Sequence, residues 1–323
     1  MRTLFEHARA VEHVSETFLD RAVAKLGNGP AHLEVERPTG PEEVLRAFAL
    51  MAETGTPLGP ASLDSVEDGL VGVPRWTDGM REAFLSILRA GADGARALEA
   101  MDRTGILSRF LPEWEPVRCR PQRDPYHRFS VDVHLLRTVA GVAAILHGEN
   151  GEDALASEAA SAIGDRDAVF LGGFLHDIGK IGSGSHVARG VEVAASALSR
   201  MGVPDPTAAS VLFLVQQHLL LSDTATRRDS SDHNLVLDVA ATVQDPERLA
   251  MLYVLTVADA RATGPHAWTP WRQALVRELV AKVERVLERE EMGPDRAVLL
   301  ARRLDEVRVL AGGHDRGAVE AYL

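Results

Sequence analysis

The sequence predicts an all-α protein, a helical connector domain followed by a helical bundle. Three observations carry that expectation. Apolar residues recur at three- and four-residue intervals along most of the chain. Strand candidates are few, the best being HLEVE at His32 to Glu36. Pro/Gly clusters break the apolar periodicity at intervals that suit helices.

Taken in order, REAFLSILRAGADGARALEAMDRTGIL, from Arg81, has helical spacing with a break near Gly91. VDVHLLRTVAGVAAILHG, from Val131, and RLAMLYVLTVADARA, from Arg248, repeat the same period. GEDALASEAASAIGDRD, from Gly151, is small and polar and reads as a loop or weak helix. WRQALVRELVAKVERVLEREEM, from Trp271, is a long amphipathic helix. Joints fall at GNGP (Gly27), RPTGP (Arg37), TGTPLGP (Thr54), LPEWEP (Leu111) and RPQRDP (Arg120). The last two mark the main boundary, and the expected division is a helical domain over 1–118, a larger one over 119–279 and a helical tail over 280–323.

At 323 residues, 46% hydrophobic and 25% charged, the chain has ordinary globular composition and length enough for two units. No stretch has the apolar length of a membrane span, and the start lacks a secretory core, so the cytoplasm is the expected compartment and no membrane partner is expected. The single cysteine, Cys119, excludes an internal disulfide framework and a thiolate zinc site. A net charge of −12 argues against a nucleic-acid polymer as partner. The basic run VRCRPQR, from Val117, reads as a solvated connector.

The chemistry centres on FLHDIGKIGSGSH, Phe174 to His186. A His-Asp dipeptide alone is weak evidence, since the chain has another at His314-Asp315 in a loop-like GGHDRG. What matters is what accompanies His176 and Asp177. His134 sits within the apolar period of its helix, His218 follows SVLFLVQQ, and Asp259 ends LAMLYVLTVAD. Each alone reads as a satisfied core histidine, or an aspartate pairing with Arg261. Together, four apolar helices delivering His, His-Asp, His and Asp point to a divalent cation, because buried unpaired carboxylates are costly. Gly172, Gly173 and Gly179 leave room for close backbone approach around the pair.

Imidazole and carboxylate without thiolate suit Mn or Mg first, with Fe or Zn also compatible. Such a metal polarises a phosphoryl oxygen and lowers the pKa of bound water from 15.7 to about 7, which implies phosphate-ester hydrolysis. Lys180, Arg227 and Arg228 are candidate phosphate clamps, with ordinary surface charge as the alternative. His186, in a Gly/Ser loop, is a candidate further ligand that would bridge to a second metal, with Glu192 nearby.

The order His134, His176-Asp177, Asp259 resembles the HD-domain phosphohydrolase superfamily. More narrowly, DPYHRFSVDVHLL, FLHDIGK, QHLLLSDTATRRD and LYVLTVADARATGP resemble the uridylyl-removing region of the bifunctional PII uridylyltransferase/uridylyl-removing enzymes, from about Leu107 to Leu279. The segment before it resembles that family's connector after the transferase domain. The resemblance implies a divalent metal held by His134, His176, Asp177 and Asp259, with His186 and His218 as further ligands. It implies His176, Asp177 and Lys180 in catalysis, and removal of UMP or AMP from a tyrosine of the PII signalling protein. Two positions depart from the pattern: Gln217 precedes His218 where His-His is usual, and Ser185 precedes His186 where an acid is common.

The family's transferase signature, Gly-Ser followed by paired acids, is not found. GSGSHVARG lies inside the HD region with no Asp-x-Asp after it, and DRD at Asp165 to Asp167 lies upstream. The chain is therefore expected not to transfer nucleotides, and it stops about where the family's ACT sensor domains would follow. Two alternatives remain at this stage, a phosphohydrolase of free nucleotides and a non-catalytic PII-binding module. The cyclic-dinucleotide branch is disfavoured, because none of Tyr126, Tyr253 and Tyr322 sits in a Gly-Tyr-Pro element.

Overall fold

The computed structural model describes residues 1–9, 11, 14–15, 31–68, 70, 72–122, 129–149, 153–182, 184–227 and 232–288. Arg228, the His314-Asp315 pair, GNGP and the tail from residue 289 lie outside the described residues. Among the described residues the fold is all-helical. The helices are α1 (Pro41–Thr54), α2 (Pro60–Asp68), α3 (Asp78–Arg89), α4 (Gly91–Arg103), α5 (Ile106–Phe110), α6 (Val131–Leu146), α7 (Ala154–Ala162), α8 (Arg166–Leu175), α9 (His186–Met201), α10 (Asp205–Gln217), α11 (Leu220–Arg227), α12 (His233–Val243), α13 (Pro246–Thr263) and α14 (Pro270–Glu288).

The segment expected as a strand is not one. Leu33 makes a single parallel bridge to Leu58, and the next backbone donor, Val35 N–H, goes to Ser62 Oγ at 3.0 Å instead of to a neighbouring strand. The small polar stretch after Gly151 does contain a helix, α7, started by Asp153 accepting the Ala156 N–H.

Helix α13 is the axis of the second half. It is buried on nearly every side, as a helix apolar all round must be, and it begins at Asp245, whose carboxylate caps the N–H groups of Glu247 and Arg248. Packed against it are α6, α7, α8 and α14. At the α6 crossing, a Cβ on Gly141 would lie 3.3 Å from the Ala258 Cβ. That close approach, one residue before Asp259, brings the carboxylate within reach of His134 on α6.

The apolar core runs unbroken from Val44 to Val286. Trp114 stacks on Phe174 with centroids 5.0 Å apart and planes 4° from parallel, and Phe84 meets the same ring edge-on at 5.5 Å. Helices from before the expected boundary therefore pack directly on α8, which ends in the His-Asp pair.

A candidate metal centre

Each of the four segments ends or opens its helix at the same place. His134 is one turn into α6, and His176 and His218 are the C-terminal caps of α8 and α10. His186 opens α9, where Ser185 caps the Ala188 N–H. After His176 the chain turns sharply, with the Lys180 N–H donating to Asp177 O at 2.9 Å. A side chain at Gly179 would collide with the backbone of His186 and Gly190, so only glycine lets this turn lie against α9. Arg189 holds the loop by donating to the carbonyls of Gly179 and Ile181. Gly172 and Gly173 abut Leu214 and Val142.

The ring nitrogens converge. The His176 and His218 Nδ1 atoms lie 3.0 and 2.8 Å from the carbonyls of Gly173 and Val215. Donation there fixes the tautomer and leaves Nε2 as the ligating atom. These are core histidines bonded to carbonyls and convergent donors at once. His134 Nε2 stands 3.2 Å from His176 Nε2 and 3.0 Å from Asp259 Oδ1. Asp177 Oδ2 is 3.5 and 3.4 Å from the same two nitrogens. Ligands each about 2.0–2.2 Å from one ion are spaced by about 3 Å or slightly more, so this set has the spacing of a metal shell.

A second group shares Asp177. Its Oδ1 lies 3.6 Å from His218 Nε2 and 3.9 Å from His186 Nε2. This oxygen is buried and takes no hydrogen bond among the described residues. An orphaned carboxylate oxygen is costly, and a cation in the second group would satisfy it. Two groups could hold a metal ion, His134, His176 and Asp259 in one and Asp177, His186 and His218 in the other, and Asp177 turns Oδ2 to the first and Oδ1 to the second. Glu192 belongs to neither group and is exposed.

Without a metal, protons and Lys180 balance the charge. Burial works against the His176 imidazolium, but Asp177 and Asp259 outweigh it and push the ring up to about 10. Burial likewise opposes both carboxylates. Asp177 is nevertheless held well below its usual value by His176, Lys180 and His218, and Asp259 by His134 and His176. His218 and His186 move down, chiefly through burial. Two buried aspartates met by a forced imidazolium and Lys180, beside two histidines whose charged form burial disfavours, make a set in which a divalent cation would displace the imidazolium proton.

The groups open into a cavity of about 580 Å³ walled by Lys180, His186, Arg189, His218, Asp223, Arg227, Asp259, Trp268 and Arg272, among others. Lys180 Nζ sits 2.6 Å from Asp177 Oδ2. Arg227 is at the rim, three-quarters exposed and 3.4 Å from Asp223. Asp259 does not pair with Arg261, whose partner is Asp153. The basic run after Val117 is not a solvated connector. Arg118 is tied to buried Asp102, while Arg120 and Gln122 line the cavity. Nothing in their local sequence marks those two, nor Trp268 and Arg272. The one Asp-x-Asp is used structurally, Asp165 capping α8 and Asp167 pairing with Arg89 at 2.7 Å.

Residues 131–262 match the HD domain family. Over 282 residues, 86% of the chain, it is 38% identical to the bifunctional uridylyltransferase/uridylyl-removing enzyme of Phenylobacterium zucineum (strain HLK1), 30% of which is covered. The enzyme of that name from Mycobacterium tuberculosis (strain CDC 1551 / Oshkosh) is 35% identical over 80% of the chain and 31% of its own length. That from Caulobacter vibrioides (strain NA1000 / CB15N) is 39% identical over 81% of the chain and 28% of its own length. The chain thus spans less than a third of these relatives. All four residues of the tighter ligand group, His134, His176, Asp177 and Asp259, fall within the matched stretch. The chain thus carries an HD domain over residues 131–262, and along most of its length it is a homologue of one segment of the bifunctional uridylyltransferase/uridylyl-removing enzymes.

Proposed function

We propose that this chain is a metal-dependent phosphodiesterase that removes a nucleotidyl group, UMP or AMP, from a tyrosine of the PII signalling protein. The observation that carries the reading is the convergence of His134, His176, Asp177 and Asp259 on one point at the floor of a cation-lined cavity. In this reading those four hold one Mn or Mg ion, and Asp177, His186 and His218 hold a second. The domain lies within 119–279, preceded by a connector over 1–118 and followed by a tail over 280–323.

A bound divalent ion would supply Lewis acidity at the phosphoryl group and a water of lowered pKa. The protein's own part is electrostatic and positional. Asp177 orients both groups from a rigid turn, and Lys180 neutralises negative charge on the phosphoryl oxygens as the tyrosine oxygen departs. Arg227 meets the same charge at the rim. The name of these relatives includes uridylyl removal, which supports the reaction class.

Hydrolysis of nucleotidylylated PII with added Mn or Mg, beside an Asp177→Ala control, tests the reading. Release of UMP or AMP by wild type alone is the expected result. No release from either modified form, with metal bound, would move the assignment to free nucleotides; no bound metal would move it to a binding module.

A further inference from the structure

Gln122 lies in the stretch before α6, outside the family match at 131–262, yet it lines the cavity. Its Oε1 accepts from Lys180 Nζ at 2.7 Å, and the same ammonium is 2.6 Å from Asp177 Oδ2. One lysine therefore separates this amide from the candidate metal centre. With Oε1 committed to Lys180, the amide's remaining polar atom is Nε2, a donor only. Its Nε2 is buried and has no hydrogen-bond partner among the described residues. Trp268 Nε1, on another wall of the cavity, is in the same condition. Two buried unpaired donors in a cavity that also carries Lys180, Arg120 and Arg227 call for a ligand rich in acceptor oxygens.

The placement of the stretch that leads to Gln122 is built, not incidental. Cys119 takes a left-handed backbone, with φ at +52°, and its N–H donates to Asp132 Oδ2 at 2.7 Å. The Arg120 carbonyl accepts the Val131 N–H at 2.8 Å, which ties the same segment to the start of α6. Arg118, on the other side of the kink, is held by Asp102 at 2.9 Å. The chain is thus fixed on both sides just before Gln122.

We propose that Gln122 is a further substrate-binding residue of this site. Its carbonyl oxygen positions Lys180, and its amide N–H donates to a non-bridging phosphoryl oxygen of the bound ester. The proposal rests on the phosphodiesterase reading for its substrate, but an oxyanion ligand can be tested without turnover. Inorganic phosphate is titrated calorimetrically into Mn-loaded wild type, Gln122→Leu and Gln122→Glu, with bound metal counted in each. The same proteins are assayed for kcat and KM on bis(p-nitrophenyl) phosphate.

Loss of a hydrogen bond to a charged group predicts phosphate binding about tenfold weaker or more in Gln122→Leu. Gln122→Glu keeps an oxygen for Lys180 but faces the anion with a charge, so it should bind phosphate more weakly still. Metal content should not change. Equal phosphate affinity in all three proteins, or no phosphate binding by wild type, would overturn the proposal. Weakened phosphate binding in both variants, with no UMP or AMP released from nucleotidylylated PII by wild type, would sink the phosphodiesterase reading and leave Gln122 as an oxyanion ligand.

Discussion

The carboxylate of Asp132 accepts the backbone N–H of Cys119 at 2.7 Å, joining the connector to the helix that carries His134 two residues later. The same oxygen takes Arg9 Nη1 at 2.7 Å, and Asp132 is 1% exposed. Removing the carboxylate leaves a buried amide and a half-buried guanidinium short of a partner. Because Arg9 keeps Asp102 as a partner, the main loss is the acceptor of the buried Cys119 amide, and Asp132→Ala is expected to cost about 1–3 kcal/mol. Urea unfolding of the two proteins measures it, and a loss below about 1 kcal/mol would mean the contact carries no weight.

Among the described residues Asp177 has one carboxylate oxygen near His134 and His176 and the other near His186 and His218, whereas His218 belongs to the second group alone. Asp177→Ala should abolish metal retention at both. His218→Ala should remove one ion and leave the other in place. Metal content by elemental mass spectrometry after gel filtration separates the two variants, and equal loss in both would contradict the shared-carboxylate geometry.

Metal uptake should release a proton. In the metal-free chain His176 is raised to about 10 from an ordinary 6.5, while Asp177 and Asp259 are held low. At pH 8 the carboxylates are ionised and His176 carries the proton that a metal must displace. Apparent affinity should thus rise by up to about tenfold per pH unit and level off as pH passes the His176 value. The sign for stability is opposite. A raised pKa stabilises the metal-free fold fully below 6.5, and that contribution fades as pH climbs to about 10. Calorimetric titration of Mn in buffers of different ionisation enthalpy counts the proton; none released at pH 8 would show that His176 is neutral there.

The site's core was readable because polar groups stood where apolar periodicity left no room for them. His134 and Asp259 stand on largely buried helices and His218 caps one that buries Val211, Leu214 and Val215, and a shared partner reconciles the three. The fold class was readable for the same periodic reason. The HLEVE alternation misled because burial of Leu33 and Val35 can be met by one bridge and a serine hydroxyl, without a second strand. Gln122 and Trp268 carried no signal at all. A glutamine among basic residues and a tryptophan after a helix are ordinary in sequence, and their unpaired N–H groups exist only in three dimensions. The kink at Cys119 was hidden too, since a left-handed backbone is expected of glycine, not cysteine.

Gly179→Ala should disable the site without touching a ligand. A methyl group there meets the backbone of His186 and Gly190, atoms that cannot rotate aside. Either the turn after Asp177 or the start of α9 must move, pulling Asp177 and His186 apart. A destabilisation of about 1–3 kcal/mol is expected, as for other forced overpacking, with weaker retention of the second ion. Thermal unfolding with and without Mn reads both effects, and an unchanged Mn-induced shift would show that the turn tolerates the methyl group.

Phe174 decides whether the helices before the connector form a separate unit. Its ring is 1% exposed, stacked on Trp114 and met edge-on by Phe84, so one side chain closes the core across the boundary expected near residues 111–125. Phe174→Ala should cost about 3–5 kcal/mol, since little around a stacked pair can collapse into the gap. If the core acts as one, the variant should shift a single urea transition seen alike by tryptophan fluorescence and by helical circular dichroism. Two separated transitions, with only the later one displaced, would mean that α1 to α5 fold independently and merely dock on α8. Because Phe174 is two residues before His176, the same variant should also lower Mn affinity in the one-core case, through loss of the packing that aims the histidine.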